Sequence, residues 1–256
     1  MKTFTFTVDD NIRFLKELTQ RDHNSLFDHP YLAMYKRLHD HFGAKVQLNL
    51  FYRTEDFDLS QMTARYRKQW QENAHWLKLS FHSDMENEWP YTEAPYEEVF
   101  RDCADVQEQI LRFASKDALA ATTTVHYCST TRDGVRALKD SGVKGLLGLF
   151  GDEAHPCSSY ALSETAADEI RNGKILVEGG VAFAPIDLVL NTVCCEEGQK
   201  RLKKLLHRDH IWIMIHEQYF YEDYPAYQFD FEQKVVGAVS LLCAQGCESR
   251  FFEELI

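Results

Sequence analysis

The chain has 256 residues, 45% of them hydrophobic, which is enough for a large unit with a real core. Its net charge of −12 argues against nucleic acid and anionic membranes as partners, since both attract basic surfaces. No apolar run approaches the roughly 20 residues that span a bilayer. Met1 leads directly into a strand with no room for a signal peptide, and seven cysteines without CxxC or zinc-ribbon spacing read as reduced thiols; both predict a cytoplasmic protein.

The first strand is expected over Phe4–Val8, ending at the adjacent pair Asp9-Asp10. Ile12, Leu15 and Leu18 then form a helical stripe, and Leu32, Tyr35, Leu38 and Phe42 form a second that stops at Gly43, a suitable left-handed cap. A strand over Lys45–Tyr52 follows, then a helix carrying Met62, Tyr66 and Trp70 behind Ser60 as N-cap. The strand Leu77–His82 precedes a helix with Phe100, Cys103, Val106, Ile110 and Phe113 behind Pro95. The strand Thr122–Cys128 precedes a helix with Val135 and Leu138 that stops at Gly142. Val143–Phe150, one or two strands within Lys174–Leu190, and Ile211–Tyr219 complete the set before the last stripe, Val235, Val239 and Leu242. Several strands read as continuously apolar, as expected where both faces are covered.

Strand–helix alternation over the whole length implies a mainly parallel sheet, and six to eight units imply a (β/α) barrel of seven or eight strands. With no linker, repeat or low-complexity tract, residues 1–256 are expected to form a single domain. Asp84–Pro95 and Gly151–Val177 read as loops or excursions over the carboxyl end of the barrel.

Two adjacent carboxylates at a strand end have two readings. They cap the next helix, as Asp does well, or one holds a cation while the other moves a proton. Three histidines at later strand ends, His82, His126 and His216, favour the second, because a parallel barrel brings all such ends to one face. One carboxylate and two imidazoles can hold a divalent metal with positions open for water and substrate. The other eight histidines are expected to be surface or capping residues. Tyr52, Trp89, Tyr91, Tyr127, Tyr219 and Tyr221 lie near these motifs as candidate stacking walls for a sugar.

Thr7-Val8-Asp9-Asp10-Asn11 resembles the T-F-D-D-G motif of the polysaccharide deacetylases (carbohydrate esterase family 4). His82-Ser83-Asp84-Met85-Glu86 resembles that family's H-S-x-x-H motif, and His126 to Gly148 is similar to the stretch following its third motif. Ile213-Met214-Ile215-His216 resembles its final L-x-x-H-like motif. The resemblance implies an irregular (β/α)7 barrel, with Asp9 as general base, Asp10 and His82 as metal ligands, and His216 as general acid. Three departures stand out: Glu86 occupies the place of the second metal histidine, Asn11 replaces the motif's glycine, and His126-Tyr127 stands where the third motif's Arg/Pro pattern belongs. His126 is therefore the expected third ligand, with Glu86 as the alternative.

The function expected from these residues is metal-dependent hydrolysis, a deacetylation of a carbohydrate or sugar-like compound. Zinc is the first choice of metal, with cobalt, nickel or iron also suited. The partner is then a small-molecule or oligosaccharide substrate. Glu217 or Asp187 could orient His216 and tune it, or both are ordinary polar residues at strand ends. The alternatives are a glycosidase on the same barrel, pairing Asp9 with Glu217 or Glu153, and a barrel that binds carbohydrate without catalysis.

Overall fold

The computed structural model describes residues 2–86, 91–150 and 159–256. In chain order the elements are β1 (Thr3–Asn11), α1 (Arg13–Gln20), α2 (Pro30–Phe42), β2 (Val46–Arg53), α3 (Arg67–Asn73), β3 (Leu77–Met85), α4 (Tyr96–Phe113), β4 (Thr122–Thr123) and α5 (Arg132–Asp140). They continue with β5 (Gly145–Gly148), α6 (Glu164–Arg171), β6 (Leu176–Glu178), β7 (Val181–Pro185), β8 (Leu188–Val189), α7 (Cys195–Leu205), β9 (His210–His216), α8 (Phe231–Ala244) and β10 (Glu248–Ser249).

The strands form two sheets. One runs β3-β2-β1-β9-β8, all parallel, with β10 parallel to the start of β1; the other runs β4-β5-β7-β6, parallel except for β6. β7 passes into β8 through two residues that bond to both sheets: Ile186 N–H donates to Gly148 O (2.8 Å) and Asp187 N–H to Trp212 O (2.9 Å). Between β3 and β4 the regular ladder gives way to a bridge at Leu79–Leu119 and a bond from Ser80 Oγ to the Thr122 carbonyl (2.8 Å). The neighbours therefore succeed one another as β1, β2, β3, β4, β5, β7/β8, β9 and back to β1. This is the α/β, mainly parallel architecture expected from the strand–helix alternation.

The strands alternate rather than being apolar throughout. Phe4, Phe6 and Val8 pack in the layer shared with the helices, as do Leu48, Leu50, Leu79, Phe81, Ile213 and Ile215. Thr5, Thr7, Asp9, Gln47, Asn49, Ser80 and His82 are also buried, on the opposite face of the pleat. A second apolar cluster, including Leu147, Ala184, Trp212, Met214 and Phe252, fills the remainder of that inner space. Phe252 enters from the C-terminal segment, and Gly145 makes room for it, since a Cβ there would lie 2.6 Å from its ring.

Several local expectations are corrected. Ser60 does not cap the third helix: Asp58 caps a short 3-10 turn, Leu59–Gln61, by accepting the Ser60 N–H (2.9 Å), and α3 begins only at Arg67. β4 is two residues long instead of seven, and the chain beyond it turns at His126–Cys128, through left-handed Tyr127 (φ 59°) and Cys128 (φ 53°). Within the stretch read as a loop, residues 151–158 lie outside the described residues, and α6 occupies Glu164–Arg171. Lys174–Leu190 yields three short strands, and α7 and β10 were not expected. Among the described residues, no helix is long and apolar enough to cross a membrane.

Candidate metal and acid–base site

Both segments that carry the first two site motifs are bulged. Asp9 and Asp10 together face the single residue Asn49 of β2, and His82 is the extra residue of β3 between pairs Leu50–Phe81 and Phe51–Ser83. The bulge resolves the difficulty of two adjacent carboxylates on a pleated strand. Asp10 adopts a left-handed conformation (φ 61°), and both carboxylates line the same cleft. Asn11 staples the bulge, its Nδ2 donating to Val8 O (2.6 Å) and Asn49 O (3.1 Å) while Tyr31 OH donates to its Oδ1 (2.8 Å). A side chain is thus needed where the family motif has glycine.

Neither aspartate caps α1. That helix starts without a side-chain cap of its own, and the carboxylate of Glu217 accepts the N–H groups of Ile12 (2.6 Å), Arg13 (3.0 Å) and Phe14 (2.8 Å). Tyr221 OH donates to the same carboxylate (3.0 Å). Burial nevertheless pushes the Glu217 carboxyl up to about 7, against these donors.

Asp10 Oδ1 lies 3.0 Å from His82 Nε2 and 3.3 Å from His126 Nδ1, and the two nitrogens are 3.1 Å apart. These three are the group of His, Cys, Asp or Glu side chains, among the described residues, whose ligand atoms meet closely enough to hold a metal ion. The donor set fits: ligand bonds of about 2.0–2.2 Å at tetrahedral to right angles separate donors by roughly 2.8–3.6 Å. His82 Nδ1 donates to the Thr124 carbonyl (2.5 Å), which leaves the Nε2 lone pair facing a carboxylate oxygen. That contact is repulsive unless a proton or a cation lies between them, and the bond to Thr124 is the backing usual for a metal-bound imidazole. Glu86, half-buried on the same cleft, is not part of the group.

The charges separate the two aspartates. Burial raises Asp9, the adjacent Asp10 raises it further, and Asn49 Nδ2, donating to Asp9 Oδ1 (2.7 Å), opposes both. Burial also pushes Asp10 up, but His216, His126 and His82 outweigh it and hold the carboxyl well below the usual range. Burial lowers His82, against the pull of the Asp10 carboxylate toward the protonated imidazole.

His216, at the end of β9, is paired with Asp9 across the ladder. Its Nδ1 donates to Asn191 Oδ1 (2.9 Å), which also accepts its backbone N–H (3.2 Å), so Nε2 is the nitrogen free to exchange a proton. Asn191 thus occupies the orienting place expected of Glu217 or Asp187. Glu217 is committed to α1, and Asp187 accepts from Trp212 N–H (3.0 Å) and pairs with Arg208. Burial lowers His216, partly offset by Asp10.

All five core residues, Asp9, Asp10, His82, His126 and His216, line one cleft of about 690 Å³, with Glu86, Gln218 and Asp187. Tyr127, Phe150, Tyr219 and Tyr224 are aromatic residues along it, whereas Tyr91 and Tyr221 are buried in hydrogen bonds elsewhere and Trp89 lies outside the described residues. Asn49, Asn191 and Gln218 were not anticipated. Only Asn49 had a sequence signal: Gln47 and Asn49 are amides two apart, alternating with Val46, Leu48 and Leu50. His210, expected at the surface or as a cap, instead lies between the Thr3 and Thr5 hydroxyls (2.6 and 3.0 Å).

No protein-family model matches the sequence, and no curated protein matches it. Among solved structures, the chain is similar to a 4-α-glucanotransferase from Thermococcus litoralis, with 13% identity and a TM-score of 0.62 over 99% of this chain. It spans 40% of that protein's length. It is also similar to a family 4 acetyl xylan esterase from Clostridium thermocellum, solved in complex with a cobalt ion, with 12% identity and a TM-score of 0.52 over 99% of this chain and 90% of that one. At these identities the likeness is one of fold.

Proposed function

We propose that the chain is a metal-dependent hydrolase that removes an acyl group, in the simplest case acetyl, from a carbohydrate or sugar-like substrate. The observation that carries this reading is the meeting of Asp10, His82 and His126 at 3.0 to 3.3 Å in a cleft that Asp9 and His216 also line. A divalent metal held by these three, zinc by preference and cobalt, nickel or iron as alternatives, would supply a Lewis acid and a water of lowered pKa. Further support comes from the motif order and from the acetyl xylan esterase of like fold, which was solved with cobalt.

The chain's own residues divide the proton work. Adjacent carboxylates whose environments push them apart take different roles: Asp10 stays ionised as a ligand, while Asp9 has the higher proton affinity of a base. Asn49 fixes which Asp9 oxygen is occupied, leaving Oδ2 for the incoming proton. His216, held at Nδ1 by Asn191, delivers a proton from Nε2 to the departing amine or alcohol. Its lowered pKa makes the imidazolium a stronger acid, at the cost of a smaller protonated fraction near neutrality.

The 0.62 likeness to the glucanotransferase favours a second reading, chemistry at a glycosidic bond. That requires two carboxyl groups facing the bond at about 5–9 Å. Glu217 is consumed by α1, Glu153 lies outside the described residues, and Asp187 is ion-paired, so Glu86 is the remaining partner for Asp9 along the described cleft. The test is acetate release from acetylated mono- and oligosaccharides, with p-nitrophenyl glycosides in parallel. Metal-dependent acetate release is expected, reduced by about 10²–10⁴ in Asp9→Asn and His216→Ala. Nitrophenol without acetate would install the second reading; neither product, with sugar bound in calorimetry, would indicate a binding protein.

A further inference from the structure

We infer that Gln218 is the positioning residue that makes Asp10 a one-oxygen ligand, an inference that rests on the metal-site reading above. Asp10 Oδ1 faces the two imidazoles, and its other oxygen, Oδ2, accepts a bond from Gln218 Nε2 at 2.6 Å. An ionised carboxylate only accepts, so the amide must present its nitrogen there and turn Oε1 away. Oε1 is buried and has no hydrogen-bond partner in the structure, on a residue 8% exposed. The amide thus commits its nitrogen to Asp10 Oδ2, and the direction of that bond is set by the carboxylate.

Its neighbours in sequence explain how the amide is held. His216, Glu217 and Gln218 are consecutive, and each reaches a different part of the site. His216 bonds Asn191 and faces the cleft, Glu217 clamps the first three N–H groups of α1, and Gln218 grips Asp10. The turn Glu217–Phe220 is thereby pinned to Asp10 near the end of β1 and to the start of α1. A carboxylate with both oxygens free can chelate and fill a further coordination position. With Oδ2 occupied, Asp10 contributes one donor beside His82 and His126, and the position saved is open to water and substrate.

The experiment is titration of the metal-free chain with cobalt(II), reading affinity and visible ligand-field bands, for wild type, Gln218→Met, Gln218→Asn and His82→Ala. Gln218→Asn keeps an amide one methylene too short, so a folding failure of one variant leaves the other to decide. Circular dichroism checks each fold. Both glutamine variants are expected to bind about 10–100-fold more weakly, with fainter bands as the coordination number rises. Wild-type affinity and bands in a folded variant would overturn the role of Gln218 while leaving the metal site standing. No cobalt binding by wild type, or equal binding by His82→Ala, would overturn the metal reading and this inference with it.

Discussion

The space enclosed by the strands has two unlike halves. Under β1, β2 and β3 it is polar: Thr122 Oγ1 donates to Gln47 Oε1 (3.0 Å), Gln47 Nε2 to Asn49 Oδ1 (2.8 Å), and Asn49 Nδ2 to Asp9 Oδ1 (2.7 Å). Under β5, β7 and β9 it is apolar, filled by Leu147, Ala184, Trp212 and Met214 around Phe252. The apolar half stabilises by excluding water and needs only volume and shape. The polar half gains little net stability from each bond, but the three bonds of this chain run in one direction, which ends on Asp9. One half holds the fold together, and the other aims a carboxylate.

Phe252→Ala is the largest challenge to the apolar half. It should cost about 3–5 kcal/mol in urea unfolding and leave cobalt affinity unchanged, because the ring packs in the apolar cluster against Trp212. A folded variant with lost metal binding would mean the halves are coupled.

Gln47→Leu strikes the polar half. It leaves Thr122 Oγ1 and Asn49 Oδ1 without their partner and should cost about 1–3 kcal/mol. Unlike Phe252→Ala, it should also lower turnover on any acetylated substrate, since Asn49 is freed to rotate away from Asp9. Unchanged turnover would reduce the amide chain to packing.

The smallest effect concerns the start of the β1–β9 pair. His210 bonds the hydroxyls of Thr3 and Thr5 and lies 4.0 Å, centroid to centroid, from the Trp212 ring. Burial lowers its pKa from 6.5 to about 3, so between those values the unfolded chain binds the extra proton. Its contribution is therefore intact above pH 6.5 and lost as pH falls toward 3. The loss approaches about 1.4 kcal/mol per pH unit. Glu217 acts in the opposite sense: raised from 4.5 to about 7, it contributes stability below 4.5 that is lost as pH rises through 7. The clean measurement is thus the stability difference between wild type and His210→Gln at pH 7 and pH 5, which should shrink at pH 5. A difference independent of pH would place His210 in a solvated setting.

The same contrast explains what could be read in the sequence. Asp9, Asp10, His82 and His216 were legible because a polar residue at a buried strand end is costly unless used, and parallel strands gather such ends; His126, expected at a strand end too, joins them from a short 3-10 turn three residues beyond β4. The helical stripes ending at Gly43 and Gly142 were legible through their left-handed caps. α7 was not, because Gly198 and Leu202 are its only buried residues and its remaining positions read as solvated charge. Nor was α6, whose buried face is Ala166, Ala167 and Ile170. The turn that replaces the rest of the expected fourth strand puts two non-glycine residues, Tyr127 and Cys128, in left-handed backbone, which local propensity does not foretell. Gln218 and Asn191 act through partners 208 and 25 residues away, and no local pattern encodes such pairings.

The central claim is that Asp10, His82 and His126 form a metal centre. Its most direct test is anomalous scattering from crystals grown with zinc or cobalt. A peak is expected at about 2.0–2.2 Å from Asp10 Oδ1, His82 Nε2 and His126 Nδ1. Crystals that bind the metal elsewhere, or show ordered side chains here with no peak, would contradict it.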